Sequence, residues 1–228
     1  MLGSTAPRPL AWGVVEPLAR DIAGATAAHA ALVSAVGGLT DAQVVAPSRL
    51  PGWTVGHVLT HLARNADSHT RMLVAARAGE EGVQYPGGAE QRASEIEHGA
   101  ARPAAVMVAD LAEACARLEH EWAALPASAW QGECLTGLGT APVRELPVRR
   151  WRETAVHHAD LGLAYTHRDW PGDYVRIDLQ RATMLWASRR PMGLTALPAA
   201  ALALDDRDRL AWLLGRVEVA GLDPAGIT

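Results

Sequence analysis

The sequence predicts a mainly α fold, an up-and-down four-helix bundle with a short C-terminal α+β extension. Four long segments repeat apolar residues at the i, i+3, i+4 spacing of an amphipathic helix. Gly, Pro or a capping residue bounds each of them. Before residue 190 there is no convincing period-two alternation of the kind that marks strands.

Residues 1–11, punctuated by Pro and Gly, read as a frayed terminus. Trp12 to Val36 is the first helix: Val14, Leu18, Ile22, Ala25, Leu32 and Val36 share a face, and Gly37-Gly38 stops it. Thr40 to Gln43 has capping-box form and opens a short helix that Pro47 ends. Leu50-Pro51-Gly52-Trp53 turns the chain, and Thr54 is a good N-cap for a long helix to about Ala78. After a loop, a third helical region runs from Ala89 to Leu125, interrupted near Pro103 and closed by Pro126. Trp130 to Thr140 holds three glycines and reads as a loop or short hairpin. Pro147 suits the start of the fourth long helix, to about Tyr165, and Tyr174 to Arg190 is a fifth. Beyond Pro191, Leu194 to Leu204 has the pattern of a strand and Arg207 to Arg216 that of a last short helix. The division expected is a helix-bundle domain over 1–170 and a small cap over 171–228.

A chain of 228 residues can bury a full core. With 49% apolar and 20% charged residues and a mean hydropathy of +0.01, the expectation is a soluble cytoplasmic protein. No apolar run reaches the roughly 18 residues of a membrane span, and no basic segment with an apolar h-region opens the chain. A net charge of −4 argues against nucleic acid as a partner, which calls for a basic face. Cys115 and Cys134 match no metal or redox spacing and fit a reducing compartment. The partners that remain are small molecules, with the chain acting as monomer or homodimer.

The stretch Arg150 to Leu161 carries the chemistry. Its Glu153-x-x-x-His157 core sets a carboxylate above an imidazole on one helix face, at about 100° per residue. Such a pair is half of a metal site, because zinc accepts both donors and a reactive site uses three protein ligands with one position open. The helix after Thr54 offers His57, His61 and His69, and Asn65 continues the His57, His61 stripe. Bundles build metal sites from facing helices. Periodicity does not choose between His57 and His61, although His61 lies deeper and flanks the apolar Val58, Leu62 stripe. The same spacing also arises by coincidence on solvated helices in a chain with nine histidines.

Two segments carry a resemblance. Pro51-Gly52-Trp53-Thr54 through His61-Leu62-Ala63 resembles the second helix of the mycothiol-dependent maleylpyruvate isomerase family, and Arg150 through Asp160-Leu161 resembles its fourth. That family belongs to the wider DinB-like, or YfiT-like, metal-binding bundles. The resemblance covers residues 12–165 and implies His61, Glu153 and His157 as ligands of a divalent metal, zinc in the first instance. It implies mycothiol in the open position, with His57 as a near neighbour of that cofactor and His158 off the ligand face. Asn65 is assigned to the same cofactor-binding stripe. Asp160 reads equally as a partner of the ligands or as a surface carboxylate. Leu213-Leu214-Gly215-Arg216 resembles the family's Leu-x-Gly-Arg motif, which implies Arg216 as a catalytic residue holding substrate carboxylates. Its alternative role is a charge at a helix C-terminus.

The expected function is a metal-dependent enzyme that activates a low-molecular-weight thiol for S-transfer to, or isomerisation of, a small electrophile. S-transfer is placed first because the C-terminal region reads as reduced. The competing classes are a non-catalytic metal- or ligand-binding bundle with a stress or regulatory role, and a helical interaction module without metal. His57 separates catalytic from structural, since as a fourth ligand it would close the site.

Overall fold

Residues 15–189 and 195–227 are described by the computed structural model. The start expected at Trp12 and one end of the expected strand, Leu194, lie outside them. Four helices close a ring: α1 (Val15–Val36), α3 (Val55–Arg77), α5 (Ala104–Ala124) and α6 (Leu146–Asp160). Around that ring α1 packs on α6, α6 on α3, α3 on α5 and α5 on α1, which is the expected four-helix bundle. Val58, Leu59, Leu62, Ala63, Met72 and Leu73 make α3 its most enclosed member, and they face Met107, Leu111 and Leu118 of α5. Each fully buried Leu contributes about 1.5–3 kcal/mol.

Local signals set the helix ends. Thr40 and Gln43 form the expected capping box on α2 (Asp41–Val44). The expected third region is two helices, α4 (Gly88–Ala100) and α5, broken at Pro103. Asp41 accepts a 2.7 Å hydrogen bond from Ala104 N–H, so a side chain on α2 caps α5. Helix α6 ends at Asp160, five residues before the expected Tyr165, because Gly162 takes φ +72° and terminates it. Gly24 lets α1 approach α6: a Cβ there would lie 2.4 Å from the Trp151 indole.

The sheet lies before residue 190, where none was expected beyond a short hairpin. Strand β1 (Gly82–Val83) runs parallel to β2 (Glu133–Thr136), which pairs antiparallel with β3 (Gly139–Pro142) across Gly137-Leu138. After the bundle come α7 (Gly172–Ser188), α8 (Ala199–Leu202) and α9 (Asp206–Leu213), with Trp186 and Trp212 in contact at 5.1 Å between ring centroids. The strand expected over 194–204 does not form among the described residues: 195–198 are irregular, and the Ala-rich run after Pro198 is helical. No helix of the described residues is long and apolar enough to cross a membrane.

Candidate metal centre

The two motifs meet because the loop before α3 is tied to the end of α6. Arg49 N–H donates to the Asp160 carbonyl at 2.8 Å, and Gly162 lies against Arg49. This brings the first turns of α3 beside the last turns of α6. His61 is buried, Glu153 and His157 are half-buried, and their donor atoms all lie within 4.8 Å of one another. His61 Nε2 is 3.0 Å from Glu153 Oε2, and His157 Nε2 is 3.6 Å from the same oxygen. The two imidazoles meet edge to face at 4.7 Å, and the Trp53 ring covers His61 at 5.7 Å.

His157 Nδ1–H donates to Asp160 at 2.9 Å, which leaves Nε2 as the free donor atom. Asp160 is 1% exposed and is itself held by Arg216, whose Nε and Nη2 donate to its carboxylate at 2.9 and 3.0 Å. Of the two readings of Asp160, partner of a ligand is the one its contacts describe. Burial works against charge at this spot, yet hydrogen bonds from both imidazoles hold the Glu153 carboxyl well below its usual range. Burial likewise opposes a charged His157, but hydrogen bonds to Asp160 and Glu153 outweigh it and push the ring up to about 9. Burial keeps His61 neutral, down to about 4. In the metal-free site it is therefore the charged His157 ring that stands between the Glu153 and Asp160 carboxylates.

The donor set fits a divalent ion: two imidazoles and one carboxylate are zinc-type ligands, and His61, Glu153 and His157 would hold the ion in place of the His157 proton. One contact must change. Arg92 from α4 donates to His61 Nδ1 at 3.1 Å, and an imidazole bound through Nε2 would carry its proton there. Arg92 would then turn toward Tyr85, whose ring its guanidinium already overlies at 5.9 Å.

The remaining expected residues fall in four places. His57 stands apart from the cluster: its Nδ1 accepts from Thr54 N–H at 3.2 Å, completing the α3 capping box, and its Nε2 faces Glu97. Asn65 is buried one turn beyond His61, where its Oδ1 accepts from Arg150 at 2.9 Å. Arg216, expected on a substrate carboxylate, is spent on Asp160. It lines a small cavity of about 180 Å³ with Arg49 and His167, away from the larger one. His158 does point away from the ligands and stacks on Tyr165 at 3.8 Å.

The larger cavity, about 590 Å³, opens on His61 and Glu153. Asn65, His69, Arg92 and Arg149 line it, and Leu135 to Leu138 of the hairpin form a wall. Nothing local in the sequence signalled Arg92, which reaches His61 from another helix. His69 and Arg149 carried a signal that went unassigned: each repeats the ligand stripe of its own helix at four-residue spacing.

Comparison with known proteins follows this geometry. The family profile for the mycothiol maleylpyruvate isomerase N-terminal domain matches residues 25–162. The crystal structure of the mycothiol-dependent maleylpyruvate isomerase superposes with a TM-score of 0.78 at 26% identity, over 88% of this chain and 90% of that one. A histidine-to-alanine mutant of that enzyme gives the same TM-score and coverage at 25% identity. No curated protein matches the chain. Coverage of nine-tenths of the isomerase corrects the reading of the C-terminal region as reduced. With the profile spanning more than half of its residues and both motifs side by side, the chain belongs to the mycothiol maleylpyruvate isomerase family.

Proposed function

We propose that this protein is a metal- and mycothiol-dependent isomerase acting on a small electrophile, with His61, Glu153 and His157 holding one divalent ion, zinc in the first instance. The convergence of three donor atoms on one point beside an open cavity carries this reading. Among the described residues no fourth His, Cys or carboxylate joins them, which favours a reactive site over a closed structural one. The solved isomerase gives the reaction class, and its near-complete coverage by this chain favours isomerisation over S-transfer.

A divalent ion in this site would lower the pKa of a coordinated thiol and so provide a thiolate near neutral pH. Mycothiol bound beside His61 and Glu153 would supply a nucleophilic thiol that is regenerated in each turnover. The chain's own residues do the rest. Asp160 keeps the His157 proton on Nδ1, and Arg216 fixes Asp160, so Arg216 acts as a positioning residue two hydrogen bonds from the His157 ring. Trp53 shields the His61 ring from water. Arg92 and Arg149 make the cavity attractive to an anionic electrophile.

The test is turnover of maleylpyruvate by the purified chain with zinc and mycothiol added separately and together. Conversion should require both and stop on chelation. Conversion at the same rate by chelated protein would overturn the metal assignment, and conversion without thiol would overturn the mechanism.

A further inference from the structure

The cavity does not end at the metal triad. His61, Asn65 and His69 follow one another every four residues on α3 and form one stripe. At about 1.5 Å per residue, His69 stands roughly 12 Å along the axis from His61. On α6, Arg149 stands one turn, about 6 Å, before Glu153. Both His69 and Arg149 line the cavity.

Neither side chain is fully matched by hydrogen bonds. His69 is 2% exposed, and its Nδ1 is buried with no hydrogen-bond partner. Arg149 Nε is buried in the same condition. The one hydrogen bond of its guanidinium among the described residues runs from Nη2 to Glu145 at 3.1 Å, an i, i+4 contact with a carboxylate nearly half exposed. Contacts of that kind stabilise little. Of the other cavity arginines, Arg152 is engaged more firmly, donating to buried Asp178 at 2.6 Å, and Arg92 lies beside the metal triad at His61 rather than at the far end. An unpaired buried polar atom costs about 1–3 kcal/mol, so two cavity-lining side chains with unspent hydrogen-bonding capacity are the ones a ligand's acceptor would relieve.

We propose that Arg149 and His69 form an anion seat at the far end of the cavity, which holds a carboxylate of the electrophile one to two helical turns from the metal. Arg149 supplies the charge and a planar fork of N–H donors, and His69 adds one directional donor. Burial, and then the neighbouring Arg150 and Arg149 cations, hold the His69 ring down to about 3, so it serves as a neutral hydrogen-bonding group at neutral pH. The substrate class that follows is a small electrophilic acid whose carboxylate and reacting carbon occupy opposite ends of the cavity. A fixed carboxylate is what places that carbon within attack distance of a thiol at the triad. This seat rests on the metal and thiol reading for what lies at its other end. It assigns specificity to α3 and α6 rather than to Arg216.

Calorimetric titration of the zinc-loaded full chain with maleate and with its uncharged diamide tests the seat. Wild-type protein should bind maleate about tenfold more tightly than the diamide. Arg149→Met should erase that preference without changing zinc content, and Arg149→Lys should restore part of it. His69→Leu, close in volume but without the donor, should weaken maleate binding by about three- to tenfold and leave the diamide unaffected. No preference for maleate in the wild type, or full preference in both Arg149→Met and His69→Leu, overturns the proposal. Absence of zinc from wild-type protein would overturn the metal reading instead. The two are separated by Glu153→Ala, in which a dependence of maleate binding on Arg149 should persist without metal.

Discussion

Two polar clusters share the α3–α6 interface, built from the same residue types and made for different ends. In one, Arg150 is fully buried and every branch of its guanidinium is matched. Nε donates to His29 at 2.9 Å, Nη1 to Leu62 O and Asn65 Oδ1 at 2.9 Å each, and Nη2 to Cys115 Sγ at 3.5 Å. His29 passes the charge outward through its 2.8 Å contact with Glu119. Each guanidinium nitrogen has an acceptor, so the Arg150 charge is matched within the cluster. One turn away, His61, Glu153 and His157 present three electron-pair donors to one point, while the outer nitrogens of His157 and His61 are held by Asp160 and Arg92. Burial and residue type do not distinguish a structural from a functional cluster. Complementarity against convergence does.

Breaking the closed cluster should have the largest effect on stability. Arg150→Met leaves His29 Nε2 and Asn65 Oδ1 without a donor in the core. The cost should be about 3–5 kcal/mol, read by denaturant unfolding, while zinc still binds at one equivalent in the folded fraction. A variant as stable as wild type would mean the cluster is not the keystone described.

Acid should open the same cluster more gently. Burial holds His29 down to about 4, below the ordinary 6.5 that it regains on unfolding. The unfolded chain therefore binds more protons between those values, so stability is complete above about pH 6.5 and falls as pH drops toward 4. The His29 share is about 3 kcal/mol. His29→Gln should flatten that part of the pH profile; an unchanged slope would put the titration elsewhere.

At the open cluster the smaller effect concerns Arg216. If it fixes Asp160 and through it His157, Arg216→Met should weaken zinc binding by the folded protein about 10- to 100-fold, and it should also lower stability because buried Asp160 loses its cation. Zinc affinity equal to wild type together with lost turnover would instead return Arg216 to a substrate-binding role.

Much of this was legible in the sequence where chemistry is local. Thr40 and Thr54 marked helix starts, Pro103 and Pro126 breaks, and Glu153-x-x-x-His157 one face of one helix. The choice between His57 and His61 was not, because both lie on one stripe. What separates their rings is that His57 turns back to cap its own helix. Contacts across long separations were beyond periodicity altogether: Arg216 meets Asp160 across 56 residues, and Arg92 meets His61 across 31. The strand expected near Leu194–Leu204 failed because an apolar run of Ala and Leu suits a short helix as well as a strand, and Pro198 starts one. The hairpin was ambiguous for the converse reason, since its three glycines weaken any strand pattern.

The central claim is that the three converging donors hold one metal ion with a position left open for a thiol. Cobalt(II) substitution followed by optical titration with mycothiol tests it most directly. One equivalent of cobalt should bind, and one equivalent of thiol should then produce a sulfur-to-cobalt charge-transfer band, with both absent in Glu153→Ala. Cobalt bound equally well by Glu153→Ala, or a spectrum that mycothiol leaves unchanged in the wild-type protein, would contradict it.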